Sequence, residues 1–227
     1  MQRRIPKFDP QMVPIQLASL DAPAVPSDVL SSDGLRNRFI QSKAWEPEIT
    51  DESRKSIEYS EGKGKRIAAV LIPIVQNENH LSILLTKRAD HLNDHAGQIS
   101  FPGGRKEDTD LDIKHTALRE AHEEIGLAHH YVEPLGLLPD YFTITGYQVT
   151  PVVGLVRSID ELSPDPNEVA EIFEVPLAFL MNPANHQVRE WRGEDGYRKF
   201  YAMPYESKFI WGATAGMLRN LYHFLRA

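Results

Sequence analysis

Apolar and polar positions along the chain follow a few distinct rhythms. Residues 66–75 are almost continuously apolar, and residues 80–86 repeat that pattern after the polar Gln76, Asn77, Glu78 and Asn79. Two such runs joined by a short polar break predict a β-hairpin. Further on, Ala117, Leu118, Ala121 and Ile125 recur at three- and four-residue spacing, which predicts a helix packed on a sheet. Gly126 follows as its natural stop. Residues 132–138 and 148–156 predict two more strands, and residues 167–173 a short helix. An Arg- and aromatic-rich strand region begins at about residue 181, and a final helix runs from about Ser207 to Leu225. Near the start, Val29, Leu30, Leu35, Phe39 and Ile40 form an imperfect stripe that predicts an amphipathic helix within residues 27–43. The expected class is α/β, a sheet with helices on both sides. Residues 1–62, rich in Pro, Ser and charge, read as an N-terminal extension whose first fifteen or so residues form a loose arm. Residues 63–227 read as the principal domain, including the C-terminal helix.

The predicted helix carries its chemistry on the face away from the apolar stripe. Glu120, Glu123 and Glu124 lie three and four residues apart and converge on one side. Like charges at that spacing destabilise an isolated helix. A solvated acidic face is the bland explanation for such a run. The preceding segment argues against it. Ser100-Phe101-Pro102-Gly103-Gly104 follows an apolar stretch and leads through a short acidic loop into the helix. Paired glycines let the main chain approach a ligand closely. Mg²⁺ takes oxygen ligands, usually one or two carboxylates together with waters and substrate phosphates. A divalent-metal site acting on a phosphate accounts for turn, loop and helix together.

These residues resemble the signature of the Nudix hydrolases, G-x5-E-x7-R-E-U-x-E-E-x-G-U with U aliphatic. Gly104 opens it; Arg119, Glu120, Ala121, Glu123, Glu124, Gly126 and Leu127 close it. Asp110 stands where the pattern has its first Glu, and the gap from there to Arg119 is one residue longer than the pattern allows. Leu84-Leu85-Thr86-Lys87-Arg88, running into Gly97 and Phe101-Pro102-Gly103-Gly104, is similar to the coenzyme A pyrophosphatase branch, which the longer loop also fits. Residues 146–154 and 210–216 look like further pieces of it, so the likeness spans roughly residues 65–220. The resemblance implies a Nudix-type α/β/α sandwich with a mixed β-sheet. It implies Mg²⁺ or Mn²⁺ held by Glu120 and Glu124, with Glu123 serving a further ion or the attacking water. The main-chain carbonyl of Gly103 or Gly104 is an additional candidate ligand. Arg119 either pins the acidic loop near Asp108 or Asp110 or pairs with Glu123 one turn on.

The implied substrate is coenzyme A or acyl-CoA, cut at its pyrophosphate. Arg88, Lys87 and Arg105, with Lys106, are the candidate phosphate contacts, since a guanidinium suits a phosphate fork. Glu168 and Glu171 are candidate general bases, weighed against capping or surface roles. ADP-ribose and NADH are alternative substrates, and a catalytically silent nucleotide-binding domain is the alternative outside enzymes.

Composition narrows the field further. At 227 residues the chain suffices for one full core, and with no cysteine it has neither a disulfide framework nor a thiolate zinc site. That suits a cytoplasmic location. No apolar run reaches the length of a membrane span, and the first residues lack the apolar core of a secretory signal. A formal net charge of −7 argues against general nucleic-acid binding. His91 and His95 lie four apart, but no glutamate stands between them as a metalloprotease helix requires. The last helix, with Trp211, Met217, Leu218, Leu221 and Phe224, reads as core more readily than as a partner surface, and a homodimer stays open.

Overall fold

The computed structural model describes residues 9–41, 43–50, 53–54, 57, 66–92, 96–143, 145–193 and 196–227. His95 and residues 1–8 of the expected arm lie outside them. The strands are β1 Ile15–Leu17, β2 Arg66–Gln76, β3 Leu81–Arg88, β4 Ile99–Ser100, β5 Gly103–Arg105 and β6 Val132–Leu137. They continue as β7 Tyr141–Phe142, β8 Tyr147–Val156, β9 Val169–Pro176, β10 Gln187–Gly193, β11 Gly196–Tyr205 and β12 Lys208–Trp211. The helices are α1 Ser32–Ile40, α2 Ile113–Ile125, α3 Leu177–Leu180 and α4 Gly212–Arg226.

The main sheet is mixed. β2 lies parallel to β8 along its length and antiparallel to β3 at its far end. Alternation along the central strands divides their side chains between two cores. Ala69, Leu71 and Val75 of β2, Leu84 of β3 and Val152 and Val156 of β8 meet Ala117, Ala121 and Ile125 of α2. Ala68, Ile72 and Ile74, with Ile83, Leu85, Val153 and Leu155, face the other way and meet Leu35 of α1 and Met217, Leu218 and Leu221 of α4. The period-two repeat of a strand buried on both faces explains this split. The final helix is thus core. Of the stripe expected near the start, Leu35 and Phe39 lie in α1 and pack on the core, Val29 and Leu30 pack on it from the turn before the helix, and Ile40 is exposed.

β3 splays away from the first half of β2. The gap takes β4, paired to β3 at Thr86 and Lys87, and β5, paired to β2 at Ala68, Ala69 and Val70. The chain crosses between them at Phe101 and Pro102, so the glycine turn is held by two diverging strands.

Two local expectations are corrected. Residues 167–173 enter strand β9, which pairs antiparallel with β3; the polar 165–168 segment only turns into it. Val, Ile and Phe at 169, 172 and 173 suit a strand, and the pairing decides in its favour. The last helix starts at Gly212, because residues 208–211 form β12 against β11.

A second, antiparallel sheet runs β1-β10-β11-β12. The described part of the N-terminal segment is tied to this body, which corrects the loose arm expected there: Ile15 pairs with Arg189 of β10, and Arg189 Nη1 donates to the Gln11 and Val13 carbonyls at 2.8 Å. Arg38 Nε donates to the Phe224 carbonyl at 2.6 Å, satisfying an end group of α4. Glu48 accepts from Arg219 of α4 at 2.8 and 3.1 Å and from the Tyr201 hydroxyl. Against its burial, the bond to the His223 ring at 2.9 Å, followed by those from Tyr201 and Arg219, holds Glu48 low, at about 2.

Candidate active site

Helix α2 begins at Asp112, whose carboxylate accepts the His115 N–H at 2.8 Å, and ends at Gly126 in the left-handed region (φ 70°). With its apolar side on the sheet, Glu120 and Glu124 are directed at the glycine turn. Gly104 packs so closely on the Glu120 carboxylate that an added Cβ would lie 2.5 Å from it. The Gly103 N–H is 3.3 Å from Glu124 Oε2. A Cβ at Gly103 would lie 2.4 Å from the Ala69 carbonyl oxygen. At Gly103 the obstacle is backbone, so only glycine fits there; at Gly104 a side chain would instead push the Glu120 carboxylate out of its place.

Glu124 is 6% exposed. Burial pushes its carboxyl up to about 8 from 4.5, and the nearby charges of Glu168 and Glu120 push the same way. The Gly103 N–H and the Arg88 guanidinium act in the opposite sense. Glu120 is also raised, by burial first, with Arg119 opposing. Glu123 lies further out, its side chain 56% exposed and paired with Arg119 at 2.8 Å.

Arg119 joins the elements. Its Nε and Nη2 reach the two oxygens of Asp110 at 2.9 and 3.0 Å, Nη1 reaches Glu123 and Glu120, and Nη2 also donates to the Arg105 carbonyl at 3.0 Å. Asp110 is fully buried and also accepts from Thr116 Oγ1, the Glu107 N–H and the His115 ring. Arg119 holds its carboxyl well below the usual range. Asp110 therefore fixes the loop, and Arg119 takes both positions that the sequence offered it.

Among the basic candidates, Arg88 stands nearest the carboxylates. It is half-buried, its charge acts on Glu124, and its buried Nε has no hydrogen-bond partner among the described residues. Lys87 points toward Asp90, 3.6 Å away. Arg105 contributes its main-chain carbonyl to Arg119, while the residue itself is exposed. Lys106 is exposed as well. Glu171 pairs with Lys208, whereas Glu168, at the entry to β9, places its charge on Glu124 and Glu120. Sequence reasoning could not separate these two. The difference comes from β9 lying against β3, where the Glu168 carbonyl accepts the Ala89 N–H at 2.8 Å.

Among the described residues no three acidic or imidazole groups already form a metal cage. The donor set nevertheless fits a hard divalent cation. Two carboxylates bordering a main-chain turn, both raised by burial first and by like charge after it, leave room for phosphate oxygens and water to complete the shell.

Residues 65–200 match the NUDIX domain family. The chain belongs to the Nudix family. A relative from Escherichia coli O7:K1 (strain IAI39 / ExPEC), named as an uncharacterized Nudix hydrolase, NudL, is 45% identical over 157 residues, covering 69% of this chain and 81% of its own. The structure is similar to a Nudix hydrolase from M. smegmatis, RenU, with TM-score 0.43 and 23% identity over 50% of this chain and 72% of that one. It is also similar to the NUDIX domain of Shewanella oneidensis NrtR complexed with ADP ribose, with TM-score 0.41 and 20% identity over 54% and 83% of the two chains. As a Nudix hydrolase the protein acts on the pyrophosphate link of a nucleoside diphosphate derivative, and the family generally uses divalent metal ions. Among the described residues no helix is long and apolar enough to cross a membrane.

Proposed function

We propose that this Nudix hydrolase cleaves the pyrophosphate of coenzyme A or its derivatives, using Mg²⁺ or Mn²⁺, in the cytoplasm. The observation that carries the metal-dependent activity is the meeting of Glu120 and Glu124 at the Gly103–Gly104 turn, with Glu168 and Arg88 beside them. The coenzyme A branch rests on residues 84–88 and 97–104. Residues 63–227 form the catalytic domain in this reading, and residues 1–62 its extension.

Glu120 and Glu124 are the metal ligands, joined by the carbonyl of Gly103, whose N–H already faces Glu124; Gly104, paired with Ala69, turns its own carbonyl to β2. A divalent ion there neutralises phosphate oxygens and lowers the pKa of the attacking water. Glu123, at the outer rim, serves a further ion or the water, and Glu168 supplies a fourth carboxylate that orients the water. Arg88, beside the carboxylates, meets the phosphate with its guanidinium, and Lys87 and Arg105 extend the positive rim. Water adds across one P–O bond of the pyrophosphate, giving adenosine 3′,5′-bisphosphate and 4′-phosphopantetheine, acylated when acyl-CoA is the substrate.

Product analysis with CoA, acyl-CoA, ADP-ribose, NADH and a nucleoside triphosphate, each with and without metal, tests this reading. Adenosine 3′,5′-bisphosphate from CoA or acyl-CoA, only with metal, is the expected result. Faster cleavage of ADP-ribose or NADH overturns the substrate. No turnover of any compound favours a silent nucleotide-binding domain.

The raised carboxyl of Glu124 adds a pH signature. Its folded value, about 8, lies above the ordinary 4.5, so the metal-free protein loses stability as pH rises through that window. Metal must displace the proton. Its affinity is expected to rise with pH up to about 8, by up to tenfold per unit, and then level off. Calorimetry in buffers of different ionisation heat should show nearly one proton released per metal at neutral pH. No release and a flat affinity profile would remove Glu124 from the ligand set.

A further inference from the structure

The glycine turn is reached through β4, and β4 is held from the far side by the C-terminal helix. In an antiparallel ladder, successive residues turn their polar groups alternately toward and away from the partner strand. The Gln98 carbonyl accepts the Arg88 N–H at 3.0 Å, and the Ser100 carbonyl accepts Thr86 Oγ1 at 3.2 Å. Both therefore face β3. The carbonyl of Ile99, between them, faces the other way. Ile99 is buried, so its carbonyl needs a protein partner. It finds Thr214 Oγ1 at 3.0 Å, in the first turn of α4 and itself 4% exposed.

A short stretch separates this bond from the carboxylates. The Pro102 carbonyl accepts the Leu71 N–H at 2.9 Å, and Gly103 and Gly104 pair with Val70 and Ala69 of β2. The same two glycines touch Glu124 and Glu120. The turn is thus pinned on one side by β2 and on the other by β3 and Thr214, with three residues between Ile99 and Gly103.

We propose that Thr214 is a positioning residue for the pyrophosphatase site. Its hydroxyl fixes Ile99, and through it the turn against which Glu120 and Glu124 are set. The proposal rests on the metal reading of that site. It makes α4 a support of the catalytic turn as well as a wall of the core.

Three variants test it: Thr214→Val, which keeps the shape and removes the donor; Thr214→Ser, which keeps the donor; and Tyr222→Phe. The last removes a hydroxyl bond from the same helix at its other end, where Tyr222 donates to the Pro23 carbonyl at 2.8 Å. Mn²⁺ affinity is read by electron paramagnetic resonance without substrate, and kcat and KM on the preferred substrate. T214V should bind Mn²⁺ about tenfold more weakly and lose kcat by a similar factor, with KM for substrate little changed. T214S should stay within about twofold of wild type, and Y222F should keep its Mn²⁺ affinity. Wild-type Mn²⁺ affinity in T214V overturns the proposal, as does a T214S defect equal to that of T214V or an equal loss in Y222F. If T214V does not fold, Thr214→Ala takes its place in the same comparison. Should the wild type bind Mn²⁺ yet cleave no pyrophosphate, the activity reading fails and the Mn²⁺ affinities alone judge the positioning role.

Discussion

Replacing Glu124 by Gln lowers kcat by roughly 10³-fold or more while leaving the fold intact. The side chain keeps its shape and its contact with the Gly103 N–H, so packing around α2 is preserved. What is lost is a ligand charge. A loss of about 4 kcal/mol in transition-state stabilisation corresponds to that factor. The effect on stability has the opposite sign. Burial and the charges of Glu168 and Glu120 disfavour the ionised Glu124 of the metal-free protein. Above about pH 8, metal-free E124Q should therefore be at least as stable as wild type. Steady-state kinetics and thermal unfolding on the same samples check both halves. Unchanged metal-dependent turnover in E124Q would sink the ligand assignment.

Replacing Arg119 by Ala is the largest expected loss of stability, about 3–5 kcal/mol, because it leaves the buried Asp110 carboxylate without its cation. The midpoint of thermal unfolding should fall by roughly 10 °C for a chain of this size. The pH dependence follows from Asp110, whose folded value is lowered, chiefly by Arg119. In wild type its contribution is present above the ordinary carboxylate value and is lost only as pH falls through the lowered one. Without Arg119 that loss begins at higher pH, so acid unfolding of R119A starts earlier. Lysine restores the charge but not the two-pronged contact, and should recover only part of the difference. An R119A protein within about 1 kcal/mol of wild type, with an unchanged acid limb, would show that the loop is held by other means.

Much of this arrangement was legible in the chain because its signals are local. The apolar run of β2, the hairpin to β3 and the i, i+3, i+4 pattern of α2 each report their own element, and Gly103 and Gly104 mark a close approach that the structure supplies in the carboxylates of Glu120 and Glu124. The nonlocal parts were not legible. Residues 167–173 carry a pattern compatible with either a helix or a strand, and only pairing with β3 makes them β9. That pairing also separates Glu168 from Glu171. Thr214 carries no mark in its own segment, because its partner is the carbonyl of Ile99, 115 residues away. Arg119 was ambiguous for a different reason. A guanidinium has enough donors to satisfy Asp110 and Glu123 together, so a choice between them was not required.

The measurement that bears most directly on the site is a Mn²⁺ titration followed by electron paramagnetic resonance, on wild type, Glu120→Gln and Glu124→Gln, without substrate. The expected result is saturable binding to wild type that weakens at least tenfold in each variant while thermal unfolding shows both still folded. Equal Mn²⁺ affinity in all three proteins, or no binding to wild type, would contradict a metal centre on this face of α2.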